Sequence, residues 1–336
     1  VPQGSSVSCA TFQLAGVSLE LDSDDDPLIA EAAALLGAPV PGPSSPRRVS
    51  PLHEMRARVR AAGGAHVRLE LTMPRAEQRP PADLLLAAGS ADFPFDLLES
   101  SGDRVVLARR GSLEPAIVAG PEGCLFALEE GWRKALALLL LQRLMRCRED
   151  AVFFHAGSVS VRGAGAMVVG PKGAGKSTLV LALAARGHAL LGDEHACYLP
   201  ATGELLPFRR PVGIKPGPRS SAVEDGLARR GRSPERDGMM RLPLEDLLDA
   251  LPAATAALRA VVFLDGFAAA PRLRVLEPSR VDLGRLQPVG ASMVNAPRTR
   301  RVFEMARLLS RSRVYELVAG PPDETAATVE EALRAA

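Results

Sequence analysis

The chain has 336 residues, enough for two domains or for one large domain with an appendage. Its 41 basic and 39 acidic side chains leave a formal net charge of +2, which argues against a strongly cationic surface for nucleic acid or membrane. Hydrophobic residues reach 47%, ample for a core, but aromatics only 4%, too few for the stacking platforms of a single-strand nucleic-acid binder.

The chain opens with an alternating stretch, residues 12–21, that suits a half-buried strand. Ser23-Asp24-Asp25-Asp26-Pro27 then supplies acidic capping and a proline for a first helical turn, so a helix is predicted up to Leu36, ended by Gly37. Five prolines in residues 38–51 mark a loop. Strands are predicted at 67–71, 105–108, 116–118 and 124–128, with a helix at 81–88 among them. Residues 1–130 thus read as a smaller N-terminal α+β domain of unknown role, and 131–336 as a second domain.

From Trp132 to Cys147 apolar residues recur at helical spacing and predict a buried helix. The longest apolar run within it, from Ala135 to Leu141, is followed by Gln142 and Arg143 and is too short to span a bilayer. No charged region followed by an apolar stretch opens the chain, so no secretory signal is expected. Cys9, Cys124, Cys147 and Cys197 are scattered without C-x-x-C spacing and read as reduced thiols of a cytoplasmic protein.

Residues 151–161 look like one or two strands and contain His155. Ala166-Met167-Val168-Val169 reads as a buried strand and runs into Gly170-Pro171-Lys172-Gly173-Ala174-Gly175-Lys176-Ser177, followed by Thr178 and a predicted helix to about Arg186. This is a full match to G-x-x-x-x-G-K-[ST] in the strand-to-helix setting the P-loop requires. The glycines let backbone amides curl around anionic oxygens at a helix N-terminus. Lys176 would reach the outer phosphates and the Ser177 hydroxyl would bind Mg2+, so the expected ligand is a nucleoside triphosphate.

Another short strand, 189–191, leads to Gly192-Asp193-Glu194-His195, completing a βαβ unit whose crossover is expected to be right-handed. If strand C-termini gather along one edge of an open α/β sheet, the acidic pair projects beside the phosphates. One carboxylate could enter the Mg2+ shell, with Asp193 the candidate, and the other accept a proton from an attacking hydroxyl. The alternative is an exposed acidic turn capping the strand. His155, a lone histidine after two phenylalanines, reads on its own as a satisfied half-buried residue rather than a site residue. His155, His188 and His195 lack the H-x-x-x-H spacing of a zinc helix.

Residues 209–241 carry nine Arg or Lys against four Asp or Glu in Pro- and Gly-rich sequence. They fit either a flap holding phosphate or an acidic acceptor, or a solvated basic loop. Lys215 is the single candidate ligand there. Residues 258–264 read as a fully buried strand, and Asp265 at its end as a Walker B-type acid or a turn residue. A helix at 300–309, a strand at 314–318 and a helix from Asp323 complete the chain.

The order of His155-Ala156, the 170–178 loop and Ala185-Arg186-Gly187-His188-Ala189-Leu190-Leu191-Gly192-Asp193-Glu194 resembles the HPr kinase/phosphorylase family, and within it the stand-alone HPr kinase-related proteins. Arg209-Arg210-Pro211-Val212-Gly213-Ile214-Lys215 and Tyr315-Glu316-Leu317 resemble further strands of those members. The resemblance spans roughly residues 150–320. It implies an α/β fold with a P-loop HPr kinase-like core, a mixed sheet with flanking helices. It also implies ATP and Mg2+ as cofactors, with His155 beside the phosphates and Asp193 or Glu194 as base toward a serine hydroxyl.

The chain departs from the family in having Glu194 where the second acid is usually Asp, and in lacking a Glu-x-Arg-Gly signature after the core. The expected activity is therefore an ATP-dependent kinase acting on a hydroxyl, most plausibly serine in a peptide or protein. Free serine or another small metabolite, or a nucleotide-gated assembly module, are the alternatives. Self-association is left open, and neither nucleic acid nor membrane is expected as a partner.

Overall fold

The structure, a computed structural model, describes residues 8–23, 26–40, 53–60, 66–73, 95–101, 104–109, 115–119, 137, 140–141, 144–145, 148, 150–214, 221–229, 231, 240–248, 255–277, 285 and 298–334. The helix expected at 81–88, the strand at 124–128 and Lys215 lie outside them. Two compact units divide the chain, Val1–Arg148 and Glu149–Ala336.

In the first unit the alternating stretch forms two strands, β1 (Ser8–Leu14) and β2 (Val17–Ser23), where the sequence suggested one. Ala15 and Gly16 take φ of 49° and 74°, a two-residue hairpin turn whose small residues hardly interrupt the alternation. Phe12, Leu14, Val17, Leu19 and Leu21 are buried, together with Leu28, Ala32, Leu35 and Leu36 of α1 (Asp26–Leu36). That helix ends at Gly37 with φ 108°, as its sequence signal suggested. β3 (His53–Arg60) and β4 (His66–Met73) continue the antiparallel sheet in the order β1-β2-β3-β4. A separate three-stranded sheet holds β5 (Phe95–Ser101), β6 (Arg104–Arg109) and β7 (Pro115–Ala119). The described residues of the helix expected from Trp132, namely Ala137, Leu140, Leu141, Leu144 and Met145, are helical and buried.

The second unit is mixed α/β, a large, mostly antiparallel sheet with helices on its faces. Its strands are β8 (Val152–Phe154), β9 (Gly157–Val161), β10 (Ala164–Val169), β11 (Ala189–Gly192), β12 (Ala196–Leu199), β13 (Glu204–Leu206), β16 (Ala256–Phe267), β17 (Arg272–Leu276) and β18 (Arg313–Ala319). A two-stranded ribbon, β14 (Val212–Ile214) with β15 (Met240–Leu242), stands apart from it. The helices are α2 (Lys176–Ala185), α3 (Ser221–Arg229), the single turn α4 (Leu244–Leu247), α5 (Arg298–Ser310) and α6 (Pro322–Arg334).

Strand order is β11-β9-β10-β16-β13-β12-β8, with β18 also paired to β16 and β17 to β18. The βαβ expectation is corrected in one respect: the strands joined by α2 are not neighbours. β9 lies between β10 and β11, antiparallel to both. The two therefore still run the same way, and β16 and β18 run parallel with β10. Four strand ends, from β10, β11, β16 and β18, consequently share one edge of the sheet.

Side chains alternate across the sheet as a pleat requires. Ala166, Val168, Val262 and Leu264 pack with Leu179, Val180 and Leu183 of α2 and with Ala326, Val329 and Leu333 of α6. Met167, Val169, Val261 and Phe263 pack on the other face with Met305, Leu308 and Leu309 of α5. Each fully buried branched side chain contributes about 1.5–3 kcal/mol.

Glu330 of α6, only 6% exposed, pairs within its own helix and with two further elements. Its carboxylate meets Arg334 at 2.8 Å, Arg186 at 2.8 Å beyond the end of α2, and Arg162 at 3.4 Å in the β9–β10 turn. Hydrogen bonds from Arg334 and Arg186 hold the Glu330 pKa down at about 2. His188 Nε2, 3.6 Å from the same carboxylate, is beyond hydrogen-bond reach, and burial keeps that imidazole's pKa below its ordinary value.

Candidate functional site

The 170–177 loop leaves the buried end of β10 and enters α2 without a spacer. Gly173 and Gly175 have φ of 84° and 94°, a region costly for residues with a Cβ. Gly170 is favoured for a different reason, since a Cβ there would lie 3.0 Å from that of Ala174 and 3.1 Å from that of Leu264, a tight fit. Gly175 is the N-cap of α2 and, without a side chain, makes no side-chain cap hydrogen bond to it. A helix start with such a backbone offers N–H groups to an anion.

Lys176 is 8% exposed, and its Nζ donates to the carbonyls of Gly170 at 2.8 Å and Pro171 at 3.1 Å. The ammonium thus lies back across the loop and braces it. Pro171, Lys172 and Gly173 form the exposed lip of the loop, and Ser177 and Thr178 are half-buried in the first turn of α2.

Register carries the acidic pair to the same place. Gly157 pairs with Val168 and Ser158 with Gly192, so the end of β11 stands one strand away from the end of β10. The corner 155–156 between β8 and β9 lies at that same edge, because β9 runs antiparallel to β10. His155 is in this bend rather than within a strand, and is half-buried.

Asp193 is 6% exposed, and neither of its carboxylate oxygens has a hydrogen-bond partner. Burial pushes its pKa up to about 6. The Ser177 hydroxyl, Lys176 and Arg210 pull it down while Glu194 adds to the rise; Ser177 is thus close enough to act electrostatically, though its geometry falls short of a hydrogen bond. An orphaned buried carboxylate is costly unless something positive or protic completes it.

Glu194 is placed differently. A third of its side chain is exposed, and its Oε2 lies 3.4 Å from Arg210 Nη1 and 4.0 Å from Arg241 Nη1. Arg210 is buried, and desolvation brings its pKa down to about 10. The same Nη1 stands 2.9 Å from His195 Nδ1. Burial, then Arg210 and His155, hold His195 well below its ordinary pKa. A neutral His195 accepts from the guanidinium at Nδ1, which leaves its proton on Nε2. The rings of His155 and His195 meet edge-to-face at 6.3 Å between centroids.

Arg210, Arg241 and His195 were not singled out from the sequence. The Arg209-Arg210-Pro211 run carried a signal, a charged pair running directly into the buried strand Val212-Gly213-Ile214. The 209–241 segment is also more ordered at its ends than a loop. Val212 pairs with Leu242, Gly213 with Arg241 and Ile214 with Met240, which brings Arg241 back toward Arg210. Asp265 is exposed near the end of β16.

Ser177 and Asp193 supply a hydroxyl and a carboxylate, the oxygen donors a hard divalent cation takes. Among the described residues no group of three His, Cys, Asp or Glu could hold a metal by itself. That combination suits Mg2+, which uses one or two protein oxygens and completes its shell with phosphate and water.

No protein-family model matches the chain, and no curated protein matches it in sequence. Among solved structures, the Hpr(Ser) kinase/phosphatase from Coxiella burnetii aligns with 55% of this chain and 94% of its own, at 16% identity and a TM-score of 0.26. A likeness this distant bears on neither substrate nor reaction. Among the described residues no helix is long and apolar enough to cross a membrane.

Proposed function

We propose that the second unit is an ATP- and Mg2+-dependent phosphotransferase with a P-loop core of the HPr kinase type, passing the γ-phosphate to a hydroxyl acceptor. The observation that carries this reading is Asp193, a buried carboxylate without hydrogen-bond partners, facing the Ser177 hydroxyl and Lys176 at the start of α2. A site that bound phosphate only to grip it would have no use for such a base.

In this reading the 173–177 amides and Lys176 would hold the β- and γ-phosphates, and Ser177 would hold Mg2+ with Asp193 meeting the water of its shell, where the cation would neutralise phosphate charge. Asp193 accepts the proton of the incoming hydroxyl as its oxygen bonds to the γ-phosphorus and the bond to the β-phosphate oxygen breaks. Glu194 is engaged by Arg210 and Arg241 and is the less available of the two acids. His155 and the 194–195–210 cluster line the acceptor side. The resemblance of the 155–194 run extends the reading to serine in a peptide or protein.

Incubation with γ-32P-labelled ATP, Mg2+ and panels of peptides, proteins, free serine and other hydroxyl metabolites tests this. Label should pass to a hydroxyl acceptor with the wild type and not with Lys176→Ala. Absence of transfer to every acceptor, water included, would refute it.

A further inference from the structure

Phe267 is a large apolar side chain left 63% exposed, as Phe303 of α5 is at 65%, whereas Phe12, Phe153, Phe154, Phe208 and Phe263 are buried. It stands beside the phosphate loop. Its Cε1 and Cζ lie 3.5 and 3.7 Å from the point a Cβ on Gly175 would occupy. The backbone mounts it firmly: Phe267 pairs with Ala319 after a register shift from Leu264, and Ala268 N donates to Ala319 O at 2.8 Å. Gly266, with φ 88°, makes the irregularity feasible, and such bulges re-aim a side chain at a sheet edge. The two connections beyond these strands also touch, since a Cβ on Gly320 would lie 2.6 Å from Pro271 Cδ.

Sheet order decides which part of a nucleotide this ring meets. Asp193 ends β11, on the β9 side of β10, whereas Phe267 ends β16, on the opposite side. If the reacting phosphate lies toward Asp193, the remainder of the nucleotide leaves the loop toward β16 and β18. We infer that Phe267 is the stacking platform for the nucleobase of the triphosphate held by the 170–177 loop. This rests on the phosphate-binding reading given above and adds the base subsite to it. A phenyl face accepts any base through its π surface and selects chiefly for stacking area, which favours purines.

The test compares a non-hydrolysable ATP analogue with inorganic tripolyphosphate by calorimetric titration in Mg2+. Phe267→Ala should weaken the analogue about tenfold and leave tripolyphosphate within about twofold, while Phe267→Trp retains analogue binding. Equal weakening of both ligands, or analogue affinity unchanged in Phe267→Ala, overturns the inference. So does a change of oligomeric state in Phe267→Ala with analogue affinity intact, which would assign the ring to a contact between copies. Failure of tripolyphosphate to bind the wild type would instead bring down the phosphate-loop reading itself, and with it this subsite.

Discussion

Gly192 has no room for a side chain, and replacing it with alanine should damage both stability and the site. A Cβ there would lie 2.4 Å from the His195 carbonyl oxygen, 3.0 Å from that of Phe208 and 3.2 Å from Ser158 Oγ. The serine can rotate, but the two carbonyls are backbone. The segment holding Phe208, between β13 and β14, is tied to β11 by the Phe208 N–H to Leu191 O bond of 2.6 Å. Restoring ordinary contact with His195 O needs a backbone shift of about 1 Å, and overpacking of this kind costs roughly 3 kcal/mol at the upper end of its usual range. The lower chain entropy of alanine when unfolded returns about 0.4–1 kcal/mol, leaving a net loss of about 2 kcal/mol. For a unit of this size that is a fall in Tm of about 4–8 °C. Because residues 193–195 carry the shift, Asp193 moves off its position and transfer should drop about a hundredfold. Differential scanning calorimetry and the labelled-ATP assay read the two effects. A Gly192→Ala protein with Tm within about 1 °C of wild type and full transfer would refute the packing argument.

Lys176→Ala should lose phosphoryl transfer by orders of magnitude while its circular dichroism and cooperative melting persist, because its ammonium meets carbonyls of the 170–171 loop and not the packed core. Arg210→Ala removes a buried guanidinium serving both Glu194 and His195 and should cost about 1–3 kcal/mol in urea unfolding, discounted because Glu194 is part-exposed. Glu330→Gln should destabilise the second unit at neutral pH. Since the Glu330 pKa is depressed from 4.5 to about 2 on folding, its contribution is complete above about pH 5 and fades as pH falls toward 2. Urea titrations of wild type and variant should therefore converge on acidification, and a stability gap independent of pH would contradict the ion-pair account.

The strongest sequence signals came from segments where local pattern and tertiary role agree. The run of 166–169 into the glycine loop and α2 is one, and the continuous apolar run inside β16 is another. The hairpin at Ala15-Gly16 was missed because both turn residues are small enough to pass within an alternating strand. The insertion of β9 between β10 and β11 was not legible, because strand pairing is non-local and nothing in residues 157–161 names a partner. The basic 209–241 run read as loop because charge and proline mask the three-residue strands at either end. Arg210 emerges as central only once that ribbon and β11 bring it to Glu194 and His195. The acids were visible as a pair, but their division of labour was not: it follows from burial of one and ion pairing of the other.

The most direct test of the account is phosphoryl transfer from labelled ATP by Asp193→Asn beside Glu194→Gln, with all acceptors including water scored. Loss of the buried base should cut transfer by about two to four orders of magnitude in the Asp193 variant, and the ion-paired acid should matter far less. Wild-type transfer by Asp193→Asn, or a larger loss on replacing Glu194, would contradict it.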